Sequence, residues 1–200
     1  MKLKRAISAP VGLASQAQDN LRFIRETMSR SVQFTAVPGW GMVGIGCSAV
    51  LAYLVARQQG ATSAQLAVWV AESLLAASLG ALAIFRKARR EGLLLSHAVS
   101  RRFFLNLAPP MVAGGLLTAA LWKAGNLQVI PGMWLLLYGT GVFTGGAFSV
   151  KPVPMMGLAF AGLGGLALLS APLFQQEFLL AGFGGFHLIF GTYIARQYGG

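Results

Sequence analysis

The stretch VIPGMWLLLYGTGVFTGGAFSV, residues 129–150, carries no charged side chain. An apolar helix of about 20 residues is long enough to cross the roughly 30 Å hydrocarbon core of a bilayer. Five further apolar runs of this kind precede and follow it, at about 39–56, 64–85, 103–122, 153–173 and 178–195. Short links with turn residues separate most of them, and one longer basic link covers residues 86–102. The sequence therefore predicts an all-α polytopic membrane protein, a bundle of six transmembrane helices.

The composition agrees with lipid as the solvent. Hydrophobic residues make up 56% of the chain and charged residues only 10%, whereas soluble domains carry about 25% charged residues. The net charge of +11 comes from basic residues that flank the apolar runs. This distribution indicates anionic lipid headgroups as partners rather than nucleic acid. The single Cys47 excludes an intrachain disulfide, and no Cys/His cluster has metal-ligand spacing, so we expect no metal and no cofactor.

The basic residues also predict the orientation, because cytoplasmic segments of membrane proteins are enriched in Lys and Arg. Fourteen of the 16 fall on the side of the N-terminus, and the other two, Arg57 and Lys123, fall on the opposite side. The fourteen are Lys2, Lys4, Arg5, Arg22, Arg25, Arg30, Arg86, Lys87, Arg89, Arg90, Arg101, Arg102, Lys151 and Arg196. Both termini are therefore expected in the cytoplasm. All four tryptophans (Trp40, Trp69, Trp122 and Trp134) lie near predicted span ends, where we expect them at the headgroup level.

The chain is expected to divide into a cytoplasmic N-terminal segment, residues 1–37, and a six-helix transmembrane domain, residues 38–200. Within the first, residues 19–34 have the apolar stripe of an amphipathic helix, with Arg22 and Glu26 on its polar side. Such a helix would anchor the chain at the membrane interface or dock a partner. A cleaved signal peptide is disfavoured because its apolar part would be weak, while a mitochondrial transit peptide is the harder alternative to exclude.

Small residues in the later spans indicate close helix packing. Gly141 and Gly145 form a GxxxG pattern, and Ala161 and Gly165 a similar pair of small residues. Helices in lipid associate where small side chains let the backbones approach. We therefore expect Gly141, Gly145 and Gly165 at helix–helix contacts, within one bundle or between two copies.

Two further features carry alternative interpretations. A Pro-Gly pair precedes the first run (Pro38-Gly39) and opens the fourth (Pro131-Gly132), which is either an inverted repeat of three spans or two simple helix starts. Pro109 and Pro110 lie inside the third run and are expected to kink or break it. A broken helix can line a substrate site, although a packing kink is commoner.

Four polar residues fall at one depth of the predicted membrane: Ser48, Glu72, Tyr138 and His187. The last three lie about 12–14 Å from the outer ends of their spans at 1.5 Å per residue, and Ser48 lies at a similar depth. An ionisable residue in a membrane marks a candidate functional site. Alternatively, Glu72 is protonated, or pairs with His187 as a clasp between helices. A serine protease site is disfavoured because Ser149 lies far from His187 along the membrane normal.

The segment FTAVPGWG, residues 34–41, together with GGFHLIFG, residues 184–191, and IARQYGG, residues 194–200, resembles a group of uncharacterised small bacterial six-helix membrane proteins. The resemblance covers about residues 20–200. It implies a bacterial inner membrane and carries no catalytic or binding residue, because no activity is attached to the group.

These observations leave three classes of function. The first is a non-enzymatic scaffold, sensor or partner subunit, working with a membrane partner or as a homo-oligomer. The second is a small transporter or channel for protons or a small solute that uses the Glu72/His187 layer. An intramembrane enzyme is the third and least favoured, since no catalytic constellation is found. A water-filled cavity that reaches Glu72 would favour the second class over the first.

Overall fold

The computed structural model describes residues 18–22, 37–90, 92 and 98–198. The chain divides into two units, Met1–Val32 and Gln33–Gly200. In the first unit, residues 18–22 are helical and exposed; the rest of the predicted amphipathic helix, 23–34, lies outside the described residues. The described part of the second unit is helical and has six helices long and apolar enough to cross a membrane.

The six helices follow the predicted order. They are α1 (Gly39–Ala56), α2 (Thr62–Arg90), α3 (Ala98–Lys123), α4 (Ile130–Gly146), α5 (Pro152–Leu169) and α6. The last consists of Gln175–Leu179, the π-helical Leu180–Phe186 and His187–Tyr198. Short 3₁₀ turns, Leu127–Val129 and Pro172–Phe174, precede α4 and α6.

The largest differences from the predicted bounds lie next to the basic link, at the end of α4, which was expected at residue 150 but lies at Gly146, and near Pro172. The link was expected over residues 86–102, but α2 continues to Arg90 and α3 begins at Ala98, so all six Lys and Arg residues of the link lie near helix ends. The fifth run was expected to reach residue 173, but α5 ends at Leu169. Pro172 starts a new turn there, because a proline restricts the backbone before it to extended conformations.

α4 and α5 are the most closely packed pair of helices in the bundle, and glycines allow their backbones to approach. Gly132, Gly139 and Gly146 on α4 face α5, and Gly157 and Gly164 on α5 face α4. Within each helix these glycines are spaced by seven residues, which is nearly two turns and keeps them on one face. A Cβ atom at Gly139 would overlap the backbone nitrogen of Ala161. The two backbones therefore lie in direct contact, as small-residue interfaces allow.

The same spacing recurs where the first helix meets the last. Gly39 and Gly46 on α1 face α6, and Gly184 and Gly191 on α6 face α1. A Cβ atom at Gly191 would lie 2.9 Å from the backbone nitrogen of Val43. The glycine of each Pro-Gly pair, Gly39 and Gly132, therefore stands where a neighbouring helix crosses. Close packing explains the repeated motif at both helix starts.

Of the three glycines expected at helix contacts, Gly141 and Gly145 do face another helix. A Cβ atom at Gly141 would lie 3.2 Å from the Leu107 side chain of α3, and one at Gly145 would lie 3.0 Å from the Phe103 carbonyl oxygen. The prediction for Gly165 is wrong, because a Cβ atom there would meet nothing within 4 Å. Its helix turns a different face, that of Gly157 and Gly164, towards α4.

α3 lies at the edge of the bundle and packs mainly against α4. It runs without interruption through Pro109 and Pro110, so the predicted break is not there. A proline leaves the carbonyl four residues earlier without its helical donor, which for Pro110 is the carbonyl of Asn106. The Thr144 hydroxyl of α4 lies 3.2 Å from that oxygen, and its single hydrogen is shared with two carbonyls of its own helix. A neighbouring hydroxyl of this kind lets a helix tolerate proline.

The tryptophans divide into two kinds. Trp40 and Trp122 are exposed near helix ends, as expected of interfacial residues. Trp69 and Trp134 instead hydrogen-bond to neighbouring helices, and a headgroup position stays a prediction for these two. The Trp69 indole donates to Gln176 Oε1 over 2.7 Å, and the Trp134 indole donates to Thr118 Oγ1 over 2.7 Å. Trp69 is buried and Trp134 is partly buried, and each indole N–H has a protein partner, as is usual for buried tryptophans.

Candidate functional site

The first polar pair of the bundle joins α1 to α2. Leu66, Trp69 and Glu72 are buried on one face of α2 because their spacing of three residues nearly repeats the helical turn. Glu72 is only 8% exposed. Its Oε1 lies 2.7 Å from the Ser48 hydroxyl of α1, which lies in turn 2.9 Å from the Ile45 carbonyl oxygen. The acid therefore has a partner on the first helix.

The number of hydrogens in this pair limits which hydrogen bonds can form. The Ser48 hydroxyl has one hydrogen, and a backbone carbonyl can only accept. Ser48 either shares this hydrogen between Glu72 Oε1 and the Ile45 carbonyl oxygen, or donates it to Ile45 and accepts a hydrogen bond from a protonated Glu72. The protonated form avoids the cost of about 2.5–3.5 kcal/mol for an acid charged within a membrane.

The second polar pair joins α4 to α6. The Tyr138 hydroxyl lies 2.8 Å from His187 Nε2, and His187 Nδ1 lies 3.0 Å from the carbonyl oxygen of Phe183. Because that carbonyl only accepts, Nδ1 must carry a hydrogen and donate it. In a neutral imidazole Nε2 is then the acceptor, and Tyr138 donates its O–H to it. The pair has one consistent set of donors with a neutral His187.

The backbone of α6 changes its winding directly before the histidine. Residues Leu180–Phe186 form a π-helix, and the His187 backbone N–H bonds the Gly184 carbonyl oxygen. The Phe183 carbonyl is thus reached by the histidine side chain rather than by its backbone N–H. Three of the seven π-helical residues are glycines, and a Cβ atom at Gly182 would overlap the side chain of Leu135. Such π segments are rare and are frequently found at functional sites.

Aromatic rings enclose the second pair. Phe160 is fully buried, and its ring centroid lies 4.8 Å from that of Tyr138 and 5.4 Å from that of His187. The Phe183 ring stacks on His187 with 6.2 Å between the ring centroids, and the Trp69 and Phe183 centroids lie 6.3 Å apart. His187 is 2% exposed. The imidazole and the phenol therefore meet each other in an apolar cage.

The four residues singled out from the sequence thus form two separate hydrogen-bonded pairs, Ser48–Glu72 and Tyr138–His187. No protein-family model, curated protein or solved structure matches the chain. The Glu72–His187 clasp is not formed, because both ring nitrogens of His187 are bonded to Tyr138 and Phe183 and Glu72 is bonded to Ser48.

Amide side chains form a network that the sequence reasoning missed. At the end of the bundle where α1 and α5 end, Gln176 accepts from Trp69 and donates to Gln65 Oε1 over 3.1 Å. Gln65 in turn donates to the backbone oxygen of Gln59 over 3.0 Å. This network ties α6 to α2 and to the turn after α1. Gln59 and Gln176 lie in predicted turns and Gln65 at a helix start, where glutamines are usually solvated. The sequence does not show that these two turns are neighbours in the fold, so it gives no sign of the network.

A lysine at the opposite end was also missed. Lys87 of α2 is 5% exposed, and its ammonium donates to the carbonyl oxygens of Val37 and Tyr198, each over 3.1 Å. These carbonyls precede α1 and end α6. A cation at the last carbonyls of a helix is favourable because they are unsatisfied and lie at the negative end of the helix dipole. Lys87 therefore fastens three helices together.

Two cavities, each of about 340 Å³, lie at opposite ends of the bundle. One is lined by α1 and α2 residues near Lys87, and the other by residues of the amide end such as Thr62, Gln128 and Gln175. Neither is lined by Ser48, Glu72, Tyr138 or His187. The polar layer in the middle is therefore closed from both of these cavities.

We expect the replacement Tyr138→Phe to destabilise the bundle by about 1–3 kcal/mol, because it leaves the buried Nε2 of His187 without its donor. Unfolding in detergent, followed by circular dichroism, measures the change. Tyr193→Phe is the matched control, since Tyr193 is on the same helix as His187 and is 52% exposed. Equal stability of the two variants would mean that the Tyr138–His187 bond contributes nothing.

Proposed function

We propose that the chain is an integral protein of a bacterial inner membrane that crosses the bilayer six times, with both termini in the cytoplasm. We further propose that it works without enzymatic chemistry, as a scaffold, sensor or partner subunit. The membrane location rests on the six long apolar helices. The orientation rests on the basic residues, which are enriched in cytoplasmic segments. Of the 16, only Arg57 and Lys123 belong to the segments that we assign to the outer side. The bacterial membrane is an expectation from the resemblance of residues 34–41.

One observation carries the choice of function: the mid-bundle polar groups are satisfied by each other. Ser48 bonds Glu72, and Tyr138 bonds His187 inside a cage of aromatic rings. A proton or solute path needs groups that face water and can change partners. Here the acid is bonded, both ring nitrogens are bonded, and neither cavity reaches the pairs. This supports a closed bundle more than a conducting one.

The packing supports the same conclusion. Backbones touch at heptad-spaced glycines in both α1–α6 and α4–α5, and such contacts leave no room for side chains to rearrange. Alternating access requires one group of helices to rock against another. The glycine contacts tie the first helix to the last and the fourth to the fifth. A rigid platform for a membrane partner uses this arrangement directly.

Proton flux in liposomes tests the proposal. We expect purified protein, reconstituted with an internal pH-sensitive dye, to pass no more protons down a pH gradient than empty liposomes do. The small transporter or channel is the competing function. Flux in the wild type that disappears in Glu72→Gln and persists in Glu177→Gln would establish it and overturn the closed-bundle proposal. Glu177 is the matched control because it is an exposed acid at the amide end.

A further inference from the structure

One face of α2 changes from apolar to basic along its length. Leu79, Leu82, Arg86 and Arg90 follow each other at spacings of three, four and four residues, so all lie on one side of the helix. Leu79 is partly buried, and Leu82 and both arginines are exposed. They line the cavity of about 340 Å³ between α1 and α2. None of the described residues that line this cavity is acidic.

The facing helix gives the cavity its depth. A Cβ atom at Gly41 would lie 2.5 Å from the Cβ of Ala83, so α1 and α2 touch there and close the floor. One turn further on, a Cβ atom at Gly44 would meet nothing within 4 Å, which leaves a slot beside Leu79 and Leu82. The cavity is therefore an apolar slot that opens towards two guanidinium groups.

The residues at the rim of the cavity are typical of a membrane interface. Trp40, which is 59% exposed, lines the same cavity, and tryptophan is enriched where hydrocarbon meets headgroups. From Leu79 to Arg90 the helix rises by about 16 Å at 1.5 Å per residue, which is about the depth of one leaflet of a 30 Å core. Arginine forks bind phosphate oxygens in a bidentate manner.

We propose that this cavity is a binding site for one anionic phospholipid. Arg86 and Arg90 hold the phosphodiester, and one acyl chain lies in the slot beside Gly44, Leu79 and Leu82. The site rests on the proposed membrane location. It goes beyond a general attraction of the basic end to the membrane surface, because it combines a charge pair and an acyl slot on two named helices. Basic pockets between membrane helices on the cytoplasmic side are suited to such headgroups.

The test is native mass spectrometry of delipidated protein in a neutral detergent. The probes are dioctanoyl phosphatidylglycerol, dioctanoyl phosphatidylcholine and inorganic phosphate. We expect the wild type to bind the phosphatidylglycerol about tenfold more tightly than the phosphatidylcholine, since each arginine near the headgroup favours the anionic lipid. The double variant Arg86→Gln/Arg90→Gln should bind the two lipids equally. Arg89→Gln/Arg101→Gln removes the same charge outside the cavity and should keep the preference.

A second variant probes the acyl slot. Gly44→Leu places its Cβ atom where nothing lies within 4 Å and extends the side chain into the slot, so we expect it to fold and to lower the affinity for both lipids several-fold. The proposal is overturned if Arg89→Gln/Arg101→Gln abolishes the preference as well, since diffuse charge would then explain it. It is also overturned if millimolar inorganic phosphate displaces the phosphatidylglycerol, or if Gly44→Leu leaves both affinities unchanged. Any of these results leaves the proton-flux result and the topology unaffected.

Discussion

Replacing Gly139 with alanine is expected to destabilise the bundle by about 1–3 kcal/mol, the usual range for overpacking a closed interface. The added Cβ atom would overlap the backbone nitrogen of Ala161 and crowd the carbonyl oxygen of Gly157 at 2.7 Å. Neither atom can rotate away, because both belong to the backbone of α5. The two helices must move apart along their length, which also loosens Gly132 and Gly146.

Gly165→Ala is the matched control for this change. It inserts the same atom into α5 but meets nothing within 4 Å. Alanine is the better helix former by about 0.5–1 kcal/mol, so this variant should be as stable as the wild type or slightly more so. Denaturant unfolding in detergent measures both variants. Stabilisation by Gly139→Ala would mean that the α4–α5 backbones are not in contact in the protein.

The replacement Lys87→Met should also have a large effect, a loss of about 1–3 kcal/mol, because the buried carbonyl of Val37 is left without this donor. Methionine keeps the length and the apolar stem of the lysine, so the packing is retained while the two hydrogen bonds to Val37 and Tyr198 are lost. The end of α6 should then detach from α2.

The measurement combines unfolding in detergent with limited proteolysis near the C-terminus, which should become faster in Lys87→Met. Arg89→Met is the control, because Arg89 lies two residues away, is exposed, and has its guanidinium 5.6 Å from the centre of the Phe85 ring. If both variants lose the same small amount of stability, Lys87 is a surface residue and the three-helix connection is absent.

The six helices could be predicted because each is an uninterrupted apolar run, and length and hydropathy alone identify such runs. Which helices are neighbours could not be predicted in the same way. α4 and α5 are joined by a short turn, but α1 and α6 meet across almost the whole chain. Nothing in the local sequence of Gly39 or Gly191 states that they face each other.

The sequence predicted only some of the glycines that lie at helix contacts. The GxxxG pattern correctly indicated Gly141 and Gly145, which face α3, but the pair Ala161–Gly165 suggested the wrong face for Gly165. The better signal was the spacing of seven in Gly132, Gly139 and Gly146, which repeats in Gly157 and Gly164. A seven-residue spacing keeps glycines on one face over several turns, and a single pair at a spacing of four does not define a face.

The sequence could predict how deep in the membrane the candidate site residues lie, but not which of them form hydrogen bonds with each other. Sequence position gives the height of Glu72 in its helix, and this height fits Ser48 as well as His187. The choice between them depends on how each helix is rotated, which only the packing decides. Lys87 was readable in hindsight: it lies 18 residues after the buried Trp69, five full turns at about 3.6 residues per turn, and therefore on the same buried face.

The central claim is that the chain crosses a membrane six times with both ends on the cytoplasmic side, and cysteine labelling of intact cells tests it most directly. In a Cys47→Ala background, single cysteines replace Gln58, Asn126, Lys151 or Gln197, which are exposed positions between the helices or, for Gln197, in the last turn of α6. A membrane-impermeant maleimide should label Gln58→Cys and Asn126→Cys from outside. Lys151→Cys and Gln197→Cys should be labelled only after the cells are permeabilised. Labelling of Lys151→Cys or Gln197→Cys in intact cells, or protection of Gln58→Cys and Asn126→Cys, would contradict the account.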